Sequence, residues 1–133
     1  MGARVLVTGA SGFIGRRLAA DLAQEGWQVR AAARDPGLLA AARGVEPVLM
    51  PDLARQADWS PLIEGVTHVV HLAGIAHSPG SLPDAVYSRI NADAVGELAL
   101  AGRGKLERFV FMSSVRAQAG LSADRAITET DTP

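Results

Sequence analysis

Three glycines at a spacing of three, Gly9, Gly12 and Gly15, follow directly on an apolar run at residues 5–7 and precede a helical pattern. In that order they build a phosphate site from backbone alone. Gly9 allows a tight turn, Gly12 lets a pyrophosphate approach the main chain, and Gly15 lets the helix pack closely on the strand. The free N–H groups of the first helical turn then face the anion. The competing reading of the same residues is a glycine-rich turn without a ligand. Placement between an N-terminal strand and a helix favours the phosphate site. Other chemistry-bearing residues are few. His71 ends an apolar run at 67–72, and Ser113 and Ser114 end another at 108–112. His68 and His71 do not make a metal pair, because a spacing of three along a strand puts them on opposite faces. His77 sits in a loop rich in Gly, Ser and Pro, where an exposed structural role and contact with a substrate are open alternatives.

The elements that must position these residues alternate strand and helix from end to end, the pattern of a parallel sheet covered by helices. Strands are predicted at 4–8, 28–33, 46–50, 67–72 and 108–112. Helices are predicted at 13–25, 37–43, 59–65 and 84–102, the third opened by Asp58 or Ser60 as cap. The last segment, 117–133, is polar and turn-rich and carries no further predicted element. The expected fold class is α/β, a Rossmann-like doubly wound parallel sheet of about five strands, incomplete at its carboxyl end. Such a sheet exposes an edge and apolar surface near the fifth strand, so residues 1–133 alone are expected to be marginally stable or to self-associate. Ser113 and Ser114 fall at the carboxyl end of a central strand, where these sheets bind ligands, although both could be ordinary strand-end hydroxyls.

Composition narrows the function classes. The 133 residues suffice for one domain, and 48% of them are apolar and 20% charged, as in an ordinary globular protein. A net charge of −1 gives no footprint for nucleic acid or an anionic membrane surface. The absence of cysteine excludes disulfide and thiolate chemistry and fits a cytoplasmic protein. No run is long enough to span a membrane, and the first apolar run is already a strand. Twelve arginines stand against a single lysine, Lys105, and there is a single tyrosine, Tyr87.

The stretch Thr8-Gly9-Ala10-Ser11-Gly12-Phe13-Ile14-Gly15 resembles the fingerprint of the extended short-chain dehydrogenase/reductases. Within them it is similar to the NAD(P)-dependent epimerase/dehydratase family acting on nucleotide sugars. Pro51-Asp52-Leu53 resembles the family's Asp-Leu segment, which contacts adenine. Val69-Val70-His71-Leu72-Ala73-Gly74 resembles its segment beside the ribose and nicotinamide. Ile90-Asn91 resembles its Val-Asn pair, and Phe109-Val110-Phe111-Met112-Ser113-Ser114 its fifth strand with the active-site serine. The resemblance implies a cofactor site at Gly9, Ala10, Ser11, Gly12, Phe13, Ile14, Gly15, Asp52, Leu53, His71, Leu72, Ala73 and Gly74. Asp52 could instead merely cap a turn, and Asn91 could merely hold neighbouring backbone. Against the family, Ala33 occupies the position of the acid that binds the ribose of NAD, and Arg34 follows it. A guanidinium suits the 2′-phosphate of NADP, so NADP is preferred, with NAD kept open by Asp35 and a solvated surface charge as the plain alternative for Arg34.

The resemblance also implies chemistry that these residues do not complete. The family uses a tyrosine and a lysine four residues apart, the tyrosine exchanging a proton with a sugar hydroxyl and the lysine lowering its pKa. Here Asn91 lies four residues after Tyr87, and Ala101 four before Lys105, so no such dyad exists in this sequence. Ser114 matches the substrate-binding serine best, with Ser113 as runner-up, because residues 115–120 are one longer than the family's usual stretch. A Ser–His–Asp hydrolase has no support, since no Gly-x-Ser-x-Gly elbow occurs. The chain is therefore expected to be the NAD(P)-binding amino-terminal part of a longer nucleotide-sugar epimerase or dehydratase, possible as a homodimer and inactive by itself. The alternatives are an NADPH-dependent carbonyl reductase of the same superfamily and a non-catalytic dinucleotide-binding protein.

Overall fold

The computed structural model describes residues 2–76, 78 and 80–133. Five parallel strands form one sheet in the order β3-β2-β1-β4-β5, with β1 at Arg4–Thr8, β2 at Gln28–Ala33, β3 at Val45–Leu49, β4 at His68–His71 and β5 at Arg108–Phe111. The chain moves outward from β1 to β3, then returns to place β4 on the other side of β1. In register, Val7 lies opposite Ala31 of β2 and Val70 of β4. This reversal beside β1 opens a crevice at the carboxyl ends of the strands. The outer edge of β5 pairs with no strand among the described residues, and Val110, Phe111 and Met112 are exposed there.

Strand alternation supplies a core on each face. Val5 and Val7 of β1 and Val29 and Ala31 of β2 pack with Ala19, Leu18 and Leu22 of α1, Phe13–Gln24. Leu6 and Val69 point the other way, to Trp59, to Leu62 and Ile63 of α2, Ser60–Ile63, and to Leu98 of α4, Ala94–Ala101. The same alternation places His68 against Trp27, with ring centroids 4.8 Å apart, and His71 on the Trp59 side of the sheet. β3 is the opposite edge strand. Its Pro47 has no N–H to offer and Glu46 is exposed, both usual on an unpaired edge.

Three elements depart from the sequence expectation. The helix expected at 37–43 is only a 3₁₀ turn, Pro36–Leu38, because the Asp35 carboxylate accepts the Gly37 N–H (3.0 Å) and closes a local turn. Leu38 at its end is exposed, so the segment lacks the buried face that holds a short helix. The long helix at 84–102 is broken into α3, Asp84–Ser88, a π-helical turn, Arg89–Asp93, and α4. Its inward residues Ile90, Ala94 and Leu98 are spaced by four. That spacing keeps them on one helix face across the π turn. Finally, a single turn, α5 at Arg116–Ala119, follows β5, its start held by the Ser114 hydroxyl accepting the Arg116 N–H (3.2 Å).

Candidate cofactor site

A cleft of about 480 Å³ occupies the crevice above β1, β2 and β4. Gly9, Ser11 and Gly12 form its floor at the first turn, Ala33 and Arg34 one side, Met50 to Ala54 a wall beyond them, and Leu72 to Ile75 the opposite wall. The three glycines divide their tasks as the sequence indicates. Gly9 has φ +65°, and a Cβ there would stand 2.9 Å from Ala73 N. Gly15 lies against the turn itself, where a Cβ would collide with the Gly9 carbonyl. Gly12 meets only Gly9 O, at 3.2 Å, and leaves the approach to the cleft open. No side chain caps α1 at Gly12, so the first-turn N–H groups stay available to an anion.

The buried hydroxyl of Thr8 organises the far wall. It accepts the N–H groups of Leu72 (3.1 Å) and Ala73 (3.2 Å) and lies 2.8 Å from His71 Nδ1. With both lone pairs engaged, its hydrogen goes to Nδ1, which fixes the proton of the neutral imidazole on Nε2. His71 is fully buried, and burial lowers its pKa to about 4. Its Nε2 and the Trp59 Nε1 find no partner among the described residues. The unfolded chain therefore binds a proton that the folded chain refuses between about pH 6.5 and 4. The stability that neutral His71 contributes is whole above pH 6.5 and lost as pH falls through that window, a loss on the order of 3 kcal/mol. Urea unfolding at half-unit pH steps should show this slope, and His71→Gln should flatten it.

Asn91, in the π turn, clamps the same wall lower down. Its Oδ1 accepts the Ile75 N–H (2.8 Å) and its Nδ2 donates to the Ile75 carbonyl (2.9 Å). A Cβ on Gly74 would stand 2.8 Å from that Oδ1. Asn91 thus holds backbone, the plainer of its two readings.

On the other side, Arg34 lines the cleft and makes no side-chain hydrogen bond or ion pair among the described residues. Asp35 is occupied with the Gly37 N–H. Asp52 both lines the cleft and caps its own turn, accepting the Ala54 N–H at 3.0 Å.

The structure brings together Gly9, Ser11, Gly12, Arg34, Asp52, Leu53, Leu72, Ala73 and Gly74 around one cleft. It places Ala10, Gly15 and His71 beneath that surface and Phe13 and Ile14 on the outer rim of α1. Ser113 and Ser114 are exposed beyond β5 and outside the cleft lining. His77 lies outside the described residues. Sequence reasoning does not single out Met50, Ala54 or Ile75, and it names Thr8 and Ile90 only as members of matched motifs, with no role at the cleft. Only Thr8 carried a signal, a polar residue closing an otherwise apolar strand. Among the described residues no group of His, Asp and Glu could hold a metal ion, and no helix is long and apolar enough to cross a membrane.

Comparison with known proteins agrees with this fold. Residues 5–133 match the model of the NAD dependent epimerase/dehydratase family, and the chain belongs to that family. The ceramide reductase of Caulobacter vibrioides is 33% identical over 115 residues, which are 86% of this chain and 35% of that protein. Among solved structures, MoeE5 in complex with UDP-glucuronic acid and NAD superposes with a TM-score of 0.82 at 31% identity, covering 98% of this chain and 42% of that one. The UDP-glucuronic acid 4-epimerase of Bacillus cereus in complex with NAD gives a TM-score of 0.78 at 26% identity, covering 98% and 45%. The chain thus spans between 35% and 45% of the length of these relatives.

Proposed function

We propose that residues 1–133 are the dinucleotide-binding part of a longer enzyme that works by transient hydride transfer at a sugar carbon of a nucleotide sugar, with NADP preferred over NAD. The glycine turn takes the pyrophosphate, Leu72 to Gly74 border the nicotinamide ribose, and Ser114, or Ser113, holds the substrate hydroxyl once the rest of the site is assembled. The cofactor supplies the hydride chemistry when bound. This chain's residues orient it. Tyr87 and Lys105 are 18 positions apart, not the four of a Tyr-x-x-x-Lys pair, so the proton-transfer step belongs to residues outside this sequence, and the chain alone is inactive.

The observation that carries the NADP preference is the contrast between Arg34, which lines the cleft with no ion-pair partner among the described residues, and Asp35, whose carboxylate is already spent on the Gly37 N–H. Arg34→Ala is expected to weaken NADP+ binding roughly 10- to 100-fold, the range for losing a charge-assisted bond to phosphate. NAD+ affinity should change less than threefold. Titration calorimetry with both dinucleotides checks this, and equal losses for the two would reject the preference.

A second reading, an NADPH-dependent carbonyl reductase, draws on the likeness to ceramide reductase. A non-catalytic dinucleotide-binding protein is the third. The mass of the protein from its native source, followed by assay of the purified product on nucleotide sugars and simple ketones, separates the three.

A further inference from the structure

Arg89 lies in the π turn and belongs to neither wall of the cleft. Its guanidinium meets Glu97 in a two-pronged pair, Nη1 to Oε1 at 2.8 Å and Nη2 to Oε2 at 2.6 Å, with both side chains about three-quarters buried at 23% and 24% exposure. The pair reaches further than itself. Arg89 Nε donates to the Leu53 carbonyl at 3.2 Å, and Glu97 Oε2 accepts the Ala57 N–H at 3.4 Å. One ion pair therefore grips both ends of residues 53–57. That segment has no strand or helix of its own. Within it only the turn at Asp52, closed by the Arg55 N–H on the Asp52 carbonyl (3.2 Å), gives it shape. Leu53 and Ala54 from this segment form the cleft wall next to Arg34.

We propose that Arg89 and Glu97 are positioning residues for the dinucleotide: they set the wall at 52–54 against which the adenosine half lies. The inference rests on the dinucleotide reading above, in which Arg34 marks the adenosine end. Three turns of geometry support it. A bidentate pair fixes orientation as well as distance. Each partner also reaches main chain of the segment that carries the wall, Arg89 at Leu53 and Glu97 at Ala57, while Asp93 stands 3.6 Å from Arg89 Nη1. The same π turn, through Asn91, holds Ile75 on the opposite side, so one short stretch of helix fixes both walls at once.

The test compares wild type with Arg89→Ala and with the double variant Arg89→Glu/Glu97→Arg. The double variant restores opposite charges. It restores neither backbone contact, because a carboxylate cannot donate to the Leu53 carbonyl and a guanidinium cannot accept the Ala57 N–H. Affinities of the 133-residue chain for NADP+ and for adenosine 2′,5′-bisphosphate are measured by calorimetry, and melting temperature on the same samples. Arg89→Ala is expected to weaken both ligands by about the same factor, roughly tenfold, which places the loss in the adenosine half. The double variant should recover part of the melting temperature, since Asp93 opposes a carboxylate at position 89, and none of the affinity. Recovery of both, or unchanged affinity in Arg89→Ala, would overturn the proposal while leaving the dinucleotide reading in place. Should Arg89→Ala fail to fold, the double variant alone decides the matter. Wild type that melts cooperatively yet binds neither ligand would overturn the dinucleotide reading and this inference with it.

Discussion

Gly15→Ala is expected to destabilise the fold by about 4 kcal/mol, the upper end for forcing one extra carbon into a packed site. The new Cβ would run into the Gly9 carbonyl and stand 2.8 Å from Ala10 Cα, and both are main chain held in place from elsewhere. Ala10 N is tied to the Ala32 carbonyl (3.1 Å), and Gly9 abuts Ala73. Relief would require α1 to lift from β1, uncovering Val5, Val7 and Ala19, which are all buried. Gly12→Ala is the matched control. Its Cβ meets a single atom, Gly9 O at 3.2 Å, so the stability loss should stay near 1 kcal/mol, while the methyl group obstructs the phosphate approach and abolishes dinucleotide binding. Chemical denaturation and NADP+ titration of the two variants should separate a packing glycine from a ligand glycine. Similar stability losses for both would refute the division of roles.

The second large effect is expected at Arg30, a charge in the middle of the otherwise apolar β2. Its side chain is 90% buried and reaches beneath α2, where Nη1 donates to the carbonyls of Pro61 (3.2 Å), Leu62 (2.8 Å) and Glu64 (2.9 Å). The last carbonyls of a helix have no partners within it, and a cation there also meets the negative end of the helix dipole. Arg30→Met keeps the apolar stem and removes the donors, leaving inward-facing carbonyls unsatisfied. A loss of about 3–5 kcal/mol is expected, as for breaking a buried charged interaction from one side. Glu46, whose Oε2 accepts from Arg30 Nε at 3.2 Å, is half exposed, so Glu46→Gln should cost under about 1 kcal/mol. If urea unfolding showed the two variants equally destabilised, Arg30 would matter through its surface ion pair and not through the α2 carbonyls.

Both effects act at a distance from the cleft lining, and they mark the two ways in which this site is supported. Gly15 sets how closely α1 approaches the glycine turn at the floor of the cleft. Arg30 anchors α2, which carries Leu62 and Ile63 against Leu6 and Val69 under the cleft. Thr8 and His71 lie between these supports, holding Leu72 and Ala73 from below.

Much of this was legible from the amino-acid sequence, because it depends on neighbours in the chain. The order of strands and helices follows from short-range hydrophobic periodicity, the glycine turn from the sterics of single residues, and the opposite facing of His68 and His71 from the alternation of a strand. The absence of a Tyr-x-x-x-Lys pair is a matter of counting. What lay beyond reach depends on partners far away along the chain. Thr8 and His71 are 63 residues apart, Arg30 and Leu62 are 32 apart, and neither bond leaves a trace in local pattern. Asp35 keeps a contact with the ribose of NAD open in the sequence, and only the fold shows its carboxylate accepting the Gly37 N–H. Nor does local pattern show that Arg89 and Asn91, both in the π turn, hold opposite walls of the cleft. Only the packed sheet, by fixing which distant backbone groups come within hydrogen-bond reach, could choose among conformations that the local sequence allows.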